Sequence, residues 1–272
     1  MLLIDTHAHL YASEFDDDRN DMLQRAYEVG VKKVLLPNID SSSIPGMYNL
    51  VEKYPEQCFA MMGLHPCYVN ENYEEELGLI KKALLDAKCP FYAIGEIGLD
   101  FYWDTTYKEE QIKALRLQIE WAKTYHLPIV LHCRDSFDET YAIVSELNDK
   151  NLRGVFHCFS GGLTDAKKVV ALGGFYMGLG GVATYKKTDE LSEAIEQIPL
   201  NYFVLETDAP YLSPEPYRTA NRKDKKRKHK NRNESAYVYA VAQKVADIKK
   251  ISLNEVANVT SENAQKLFQL KK

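Results

Sequence analysis

Eight short runs rich in Val, Ile, Leu, Phe and Tyr recur along the chain at intervals of roughly thirty residues, the length of one strand–helix unit. They cover residues 2–5, 33–36, 58–64, 91–95, 129–132, 154–157, 174–178 and 202–206. Longer amphipathic stretches separate them. Lys108–Tyr125 is the clearest helix, because Ile112, Leu115, Ile119 and Ala122 fall on one face. Residues 17–29, 73–87, 135–147, 165–172 and 189–198 read as further helices, and 234–246 with two shorter stretches ending in "TSENAQKLF" complete an outer ring. Eight parallel strands with one helix each close into an α/β (β/α)8 TIM barrel, a single domain with extra C-terminal helices. The chain's 272 residues are close to the roughly 250 of one such barrel. An open doubly wound sheet is the alternative, but it would usually carry a GxGxxG phosphate loop after its first strand, and none follows Asp5.

Barrel enzymes place their chemistry where the strands end, so the residues closing each run carry the functional reading. Run one ends in Asp5, Thr6, His7, Ala8 and His9, and the two-residue spacing puts both imidazoles on one face of an extended chain. Run three ends in His65, run four in Glu96, run five in His132, run six in His157 and run eight in Glu206 and Asp208. One such histidine is more often a hydrogen-bonded packing residue than a ligand. Here five of the seven histidines in the chain sit at run ends, a concentration that random scatter rarely gives. The other two read as ordinary: His126 near a helix end, where it suits the dipole, and His229 in a basic segment.

The blocks "DTHAHL", "GLHP", "GEIGLDFY", "LHCRD", "FHCFSG" and "ETDAPYL" resemble the signature of the TatD family of metal-dependent deoxyribonucleases, from residue 4 to about residue 268. The resemblance implies a barrel of the amidohydrolase superfamily type, divalent-metal dependence, and nuclease activity on DNA, often 3′–5′ from single-stranded ends. Carried over position by position, it makes His7, His9, Glu96, His132, His157 and Asp208 metal ligands. On chemical grounds Glu96 bridges two divalent cations, with His7, His9 and Asp208 on one and His132 and His157 on the other, an arrangement that activates water for attack on phosphorus. Glu96 and Asp208 are the catalytic candidates, Asp208 by orienting that water or taking its proton. Imidazole-rich ligation suits Zn2+ or Mn2+ and oxygen ligands suit Mg2+, while the resemblance favours Mg2+, so the metal stays open among the three.

Substrate contacts are read from position. His65 either touches substrate or packs at its strand end. Arg134 either clamps a phosphate or pairs with Asp135 or Glu139. Asp100 and Glu206 either orient ligating histidines or form structural ion pairs. Tyr102, Trp103 and Tyr107 either stack bases or pack, and Cys133 and Cys158 are packing residues. Residues 218–232 hold nine Lys or Arg against one Asp, a local +8 in a chain of net −5. The stretch 217–237 around it is more charged than the family pattern and has Ser235 where a proline is expected. Arg218, Arg222 and their neighbours are candidates to hold a polyanion by its phosphates; the alternatives are a solvated loop or, in a eukaryote, a nuclear address. Five scattered cysteines without a CxxC pair and the lack of a signal-peptide-length or membrane-length apolar run point to the cytoplasm and no membrane partner. A barrel amidohydrolase or lactonase acting on a small ester or amide is the rival function, since activated water attacks carbonyl carbon as well as phosphorus.

Overall fold

The computed structural model describes residues 1–223 and 231–271, without the side chains of 221–223. Eight strands lie in chain order, each parallel to the next: β1 (Leu3–Asp5), β2 (Val31–Pro37), β3 (Cys58–Met62), β4 (Phe91–Asp100), β5 (Ile129–Arg134), β6 (Gly154–Phe156), β7 (Phe175–Leu179) and β8 (Phe203–Leu205). The first and last strands meet just past their C-terminal ends. Thr6 N–H donates to the Leu205 carbonyl at 3.0 Å, Asp208 N–H to the His7 carbonyl at 2.8 Å, and His9 N–H to the Ala209 carbonyl at 2.7 Å. The barrel therefore closes through the two loops that carry His7, His9 and Asp208.

Helices α1 (Arg19–Glu28), α2 (Ile44–Lys53), α3 (Tyr73–Leu85), α4 (Lys108–Tyr125), α5 (Phe137–Leu147), α6 (Leu163–Ala171) and α7 (Asp189–Gln197) fill the successive crossovers, and α8 (Tyr217–Lys223), α9 (Val238–Lys249) and α10 (Leu253–Phe268) follow β8. The two-residue period of each strand splits its apolar side chains between two cores. Ile4, Leu35, Phe59, Met61, Ala93, Val130, Val155, Tyr176 and Val204, at least one from every strand, form a single interior cluster. Their neighbours Leu3, Val34, Leu36, Ala60, Ile129, Leu131 and Phe203 pack outward with the helices. Burying one such side chain fully contributes about 1.5–3 kcal/mol.

The interior cluster also contains Ala264, Leu267, Phe268 and Leu270 from α10 and its end. Asn263 on the same helix donates to the Leu200 and Phe203 carbonyls, and Ser261 to the Leu2 carbonyl. These contacts fix α10 across the N-terminal ends of β1 and β8, so it closes the barrel's base and leaves the chemistry to the opposite mouth.

Four elements differ from the sequence expectation, one of them the start of the basic segment, where helix α8 (Tyr217–Lys223) replaces the expected loop. Helix α2 lies between the second and third runs, where the sequence reading places no helix; its Pro45 sits in the first turn, where the missing N–H costs nothing. Strand β4 runs on to Asp100 instead of ending at Gly95, because Gly98 (φ +147°) lets the backbones of β4 and β5 approach: a Cβ there would lie 2.0 Å from the His132 carbonyl oxygen. The two short stretches expected near the C-terminus are the single helix α10, whose N-cap Ser252 accepts from the Glu255 N–H.

Candidate metal centre

Six of the side chains singled out by sequence converge at the barrel mouth around Glu96, which is 2% exposed. Its Oε2 lies 3.1 Å from His7 Nε2 and 3.6 Å from His9 Nε2, and Asp208 Oδ1 lies 3.9 and 3.5 Å from the same two nitrogens. The other oxygen, Oε1, lies 2.9 Å from His132 Nδ1, 3.6 Å from His157 Nε2 and 3.3 Å from His65 Nε2. One buried carboxylate thus faces two groups of nitrogens, one with each oxygen.

Local structure explains the convergence. His132 and His157 continue the inward phase of Val130 and Val155, and Glu206 and Asp208 that of Val204. His7 and His9 are out of phase with Ile4, so the chain resets its alternation as it leaves β1. Asp5 holds that reset: its buried carboxylate accepts from the Thr207 N–H at 2.9 Å, the Thr207 hydroxyl at 2.6 Å and the His7 N–H at 3.3 Å. Burial raises the Asp5 pKa to about 7 against the lowering effect of these bonds.

Three of the ligand candidates are steered from outside, whereas His7 Nδ1 is buried with no hydrogen-bond partner among the described residues. His132 Nε2 lies 2.8 Å from Asp100 Oδ2, while the other Asp100 oxygen accepts from the Tyr102 and Trp103 N–H groups. His157 Nδ1 makes a 2.9 Å ionic contact with Glu206 Oε1, which also accepts from the Cys158 N–H. His9 Nδ1 lies 2.9 Å from the Tyr11 hydroxyl, which donates to the Pro37 carbonyl at 2.6 Å. Of the alternatives open for Asp100 and Glu206, the geometry matches orientation of the histidines.

The electrostatics follow from crowding. Burial opposes ionisation of Glu96, but His65, His7, His157 and His132 outweigh it and hold its pKa well below the ordinary range. Asp208 is lowered in the same way by His9, His157 and His7 against its burial. Burial disfavours a charge on His157, yet Glu206 and Glu96 bring its pKa up to about 10, and hydrogen bonds to Asp100 and Glu96 raise His132 despite burial. His7 is lowered by burial and by His157, whose ring stacks on it at 3.6 Å.

This donor set fits a metal ion. Four donors tetrahedrally placed at ~2.1 Å from one cation stand ~3.4 Å apart, and the four distances from His7 Nε2 and His9 Nε2 to Glu96 Oε2 and Asp208 Oδ1 are 3.1–3.9 Å. They also combine imidazole with carboxylate oxygen, as divalent transition metals prefer.

The remaining candidates are placed differently. Arg134 lies with its guanidinium 3.8 Å over the Tyr102 ring and 5.0 Å from that of Trp103, while Glu139 pairs with Lys108. Tyr102 and Trp103 are exposed beside Asp100, whereas the Tyr107 hydroxyl donates to Glu71. Arg218 lies over Tyr185 at 4.1 Å. The Arg222 side chain and residues 224–230, including His229, lie outside the described residues. Arg232, counted in the basic segment, is buried: it makes a two-pronged pair with Asp18 at 2.5 and 2.8 Å. His126 caps α4.

Sequence reasoning missed three contributors. Asn233 ties the basic segment's end to the Asp208 loop, donating to the Thr207 and Tyr211 carbonyls at 2.7 Å each. Gly178 leaves room for Glu206, whose Oε2 would lie 2.3 Å from an added Cβ. Tyr11, the third, sits two residues beyond His9, and that spacing was the available signal.

Fold and site together define a barrel hydrolase with a histidine–carboxylate metal centre. The chain belongs to the TatD related DNase family, whose description matches residues 4–269. It is 34% identical over 269 residues to the uncharacterized metal-dependent hydrolase YabD of Bacillus subtilis (strain 168), covering 99% of this chain and all of that one. It is 30% identical to the 3′-5′ ssDNA/RNA exonuclease TatD of Erwinia tasmaniensis, covering 98% of this chain and all of the relative. The crystal structure of YjjV, a TatD homologue of Escherichia coli K12, superposes with a TM-score of 0.87 at 29% identity, covering 99% of this chain and 98% of the other. The protein is a metal-dependent hydrolase. No helix among the described residues is long and apolar enough to cross a membrane.

Proposed function

We propose that the chain, residues 1–272 acting as one domain, is a two-cation deoxyribonuclease that hydrolyses phosphodiester bonds at single-stranded DNA ends in the 3′–5′ direction. Mg2+ or Mn2+ serves in catalysis, and Zn2+ fits the same donors. Glu96 carries this reading, because its two oxygens each face a separate imidazole group: His7 and His9 on one side, His132 and His157 on the other. The 30% identical relative named as an exonuclease on single-stranded DNA and RNA supports the substrate class. Five free thiols agree with a reducing cytoplasm.

Cations bound here supply positive charge to phosphoryl oxygens and make water easier to deprotonate. The protein's own part is positioning and proton transfer. Asp208, 14% exposed beside the sealed His7 and Glu96, keeps one oxygen against the His7–His9 pair and is the base that takes a proton from attacking water. Asp100, Glu206 and Tyr11 fix the rings of His132, His157 and His9. Arg134, spread on Tyr102, presents guanidinium N–H groups at the mouth for a phosphate, and the rings of Tyr102 and Trp103 offer faces to a base.

The test is digestion of end-labelled single-stranded oligonucleotides by chelator-stripped protein with each metal restored, run beside a panel of esters and amides. The reading expects stepwise shortening from the 3′ end that returns with Mg2+ or Mn2+. Turnover confined to the carbonyl panel would refute it.

A further inference from the structure

The imidazoles around Glu96 do not all present the same chemistry. A backbone N–H can only donate, so the Cys67 N–H at 3.0 Å from His65 Nδ1 requires a lone pair on that nitrogen. The ring hydrogen of His65 is therefore on Nε2, the atom that faces the centre, 3.2 Å from His132 Nδ1 and 3.3 Å from Glu96 Oε1. His9 and His132 are turned the opposite way. The Tyr11 hydroxyl gives its hydrogen to the Pro37 carbonyl and so accepts from His9 Nδ1, which makes Nε2 the ring nitrogen available to a cation. The Asp100 carboxylate accepts from His132 Nε2, so on the neutral ring that can take a cation Nδ1 is the lone pair beside Glu96. Proximity alone would group His65 with Glu96 and His132 as a third donor. Its tautomer removes it, because a metal ligand needs the lone pair that His65 has given to a proton.

We propose that His65 is not a metal ligand but the site's neutral hydrogen-bond donor, whose Nε2–H binds an anionic oxygen of the substrate's phosphoryl group. The identity of that anion rests on the hydrolase reading above; the tautomer does not. Nε2–H faces Glu96 Oε1 and, on the neutral ring, the lone pair of His132. A cation on those two atoms uses the same lone pairs and leaves the His65 proton for an incoming oxygen. The ring is held before substrate arrives: His65 caps the short 3-10 turn Pro66–Tyr68 through its own Nδ1 and is 12% exposed, so little ordering entropy is spent on binding.

Three measurements on the full chain decide it. In wild-type protein loaded with Zn2+, long-range 1H–15N spectra should show His65 with its hydrogen on Nε2, while His9 carries it on Nδ1. A His65 with hydrogen on Nδ1 and a metal-shifted Nε2 would overturn the proposal, and this reading needs no variant to fold. Dialysed against a chelator-buffered metal, His65→Leu and His65→Gln should keep the wild-type metal content, whereas His132→Gln loses metal. Parallel losses in His65→Leu and His132→Gln would make His65 a ligand. Binding of inorganic phosphate to the loaded protein should weaken about ten- to hundred-fold in His65→Leu and recover in part in His65→Gln, whose amide still donates. Unchanged phosphate affinity in His65→Leu would remove the donor role. No oligonucleotide enters these assays. A protein that passes them yet leaves DNA intact overturns the nuclease reading alone.

Discussion

Loading the metal centre expels more protons from the His132–His157 side of Glu96 than the shifts of His7, Glu96 and Asp208 supply on the other. In the metal-free protein His157, its pKa brought to about 10 against burial by Glu206 and Glu96, carries close to one proton near neutral pH. His132 is also raised above its ordinary 6.5 and holds a further fraction. A cation takes only unprotonated imidazole, so filling the His132–His157 side releases between about one and two protons. The logarithm of its affinity then climbs with pH at a slope between about one and two, a ten- to hundred-fold gain per pH unit. On the other side the shifts of His7, Glu96 and Asp208 all run downward, so the slope there is shallower. Calorimetric titration of Mn2+ into stripped protein, repeated in buffers of different ionisation enthalpy at about pH 7.5, counts the protons for each binding event. Two equivalents that both bind without proton release, at affinities flat from about pH 7 to 8, would refute the assignment of His132 and His157 as protonated ligands.

Further consequences follow from single contacts. Asp208→Asn keeps the shape but loses the basic oxygen, so turnover on a labelled strand should fall by on the order of 10²- to 10⁴-fold; near-normal turnover rules that role out. Gly178→Ala puts a Cβ on the Glu206 carboxylate and frees His157, lowering metal affinity about 10- to 100-fold in a chelator competition. Asp18, held at about 2 chiefly by the hydrogen bond from Arg232, has a folded pKa below its unfolded 3.8. It adds stability above about pH 4 that is lost as pH falls through about 2. Solvent screening limits this to on the order of 1 kcal/mol, and urea unfolding of Asp18→Asn should show a correspondingly shallower acid loss. If about five cations of segment 218–232 contact a single strand, log affinity should fall with log salt at a slope near −3.5; a slope near zero removes the segment from binding.

The barrel was legible because each strand had to be apolar on both faces, and eight such runs at one spacing leave few architectures. The centre was legible for a related reason: the inward phase that buries Val130, Val155 and Val204 delivers His132, His157, Glu206 and Asp208 to the mouth, so counting by twos finds them. His7 and His9 break that count, and only their mutual spacing revealed them. Strand β4 was cut short because Gly95 and Gly98 interrupt its apolar pattern, although Gly98 is what allows Glu96 and Asp100 to share one strand beside β5. Asn233 and Gly178 were invisible because their work is done by long-range contact: one bridges to a loop far back in the chain, the other provides empty space. Arg232 looked like any other charge in a basic run until Asp18, from the start of the chain, was seen against it.

The account stands on two cations sharing Glu96 and on hydrolysis that needs both. Metal content and cleavage of a 3′-labelled single strand, measured together as stripped protein is titrated with Mn2+, put that to a direct trial. The expected record is two bound ions per chain in wild type, cleavage rising with the second, and loss of both in Glu96→Gln. Full-rate cleavage with one ion or none, or a Glu96→Gln protein that still binds two and cleaves, would contradict it.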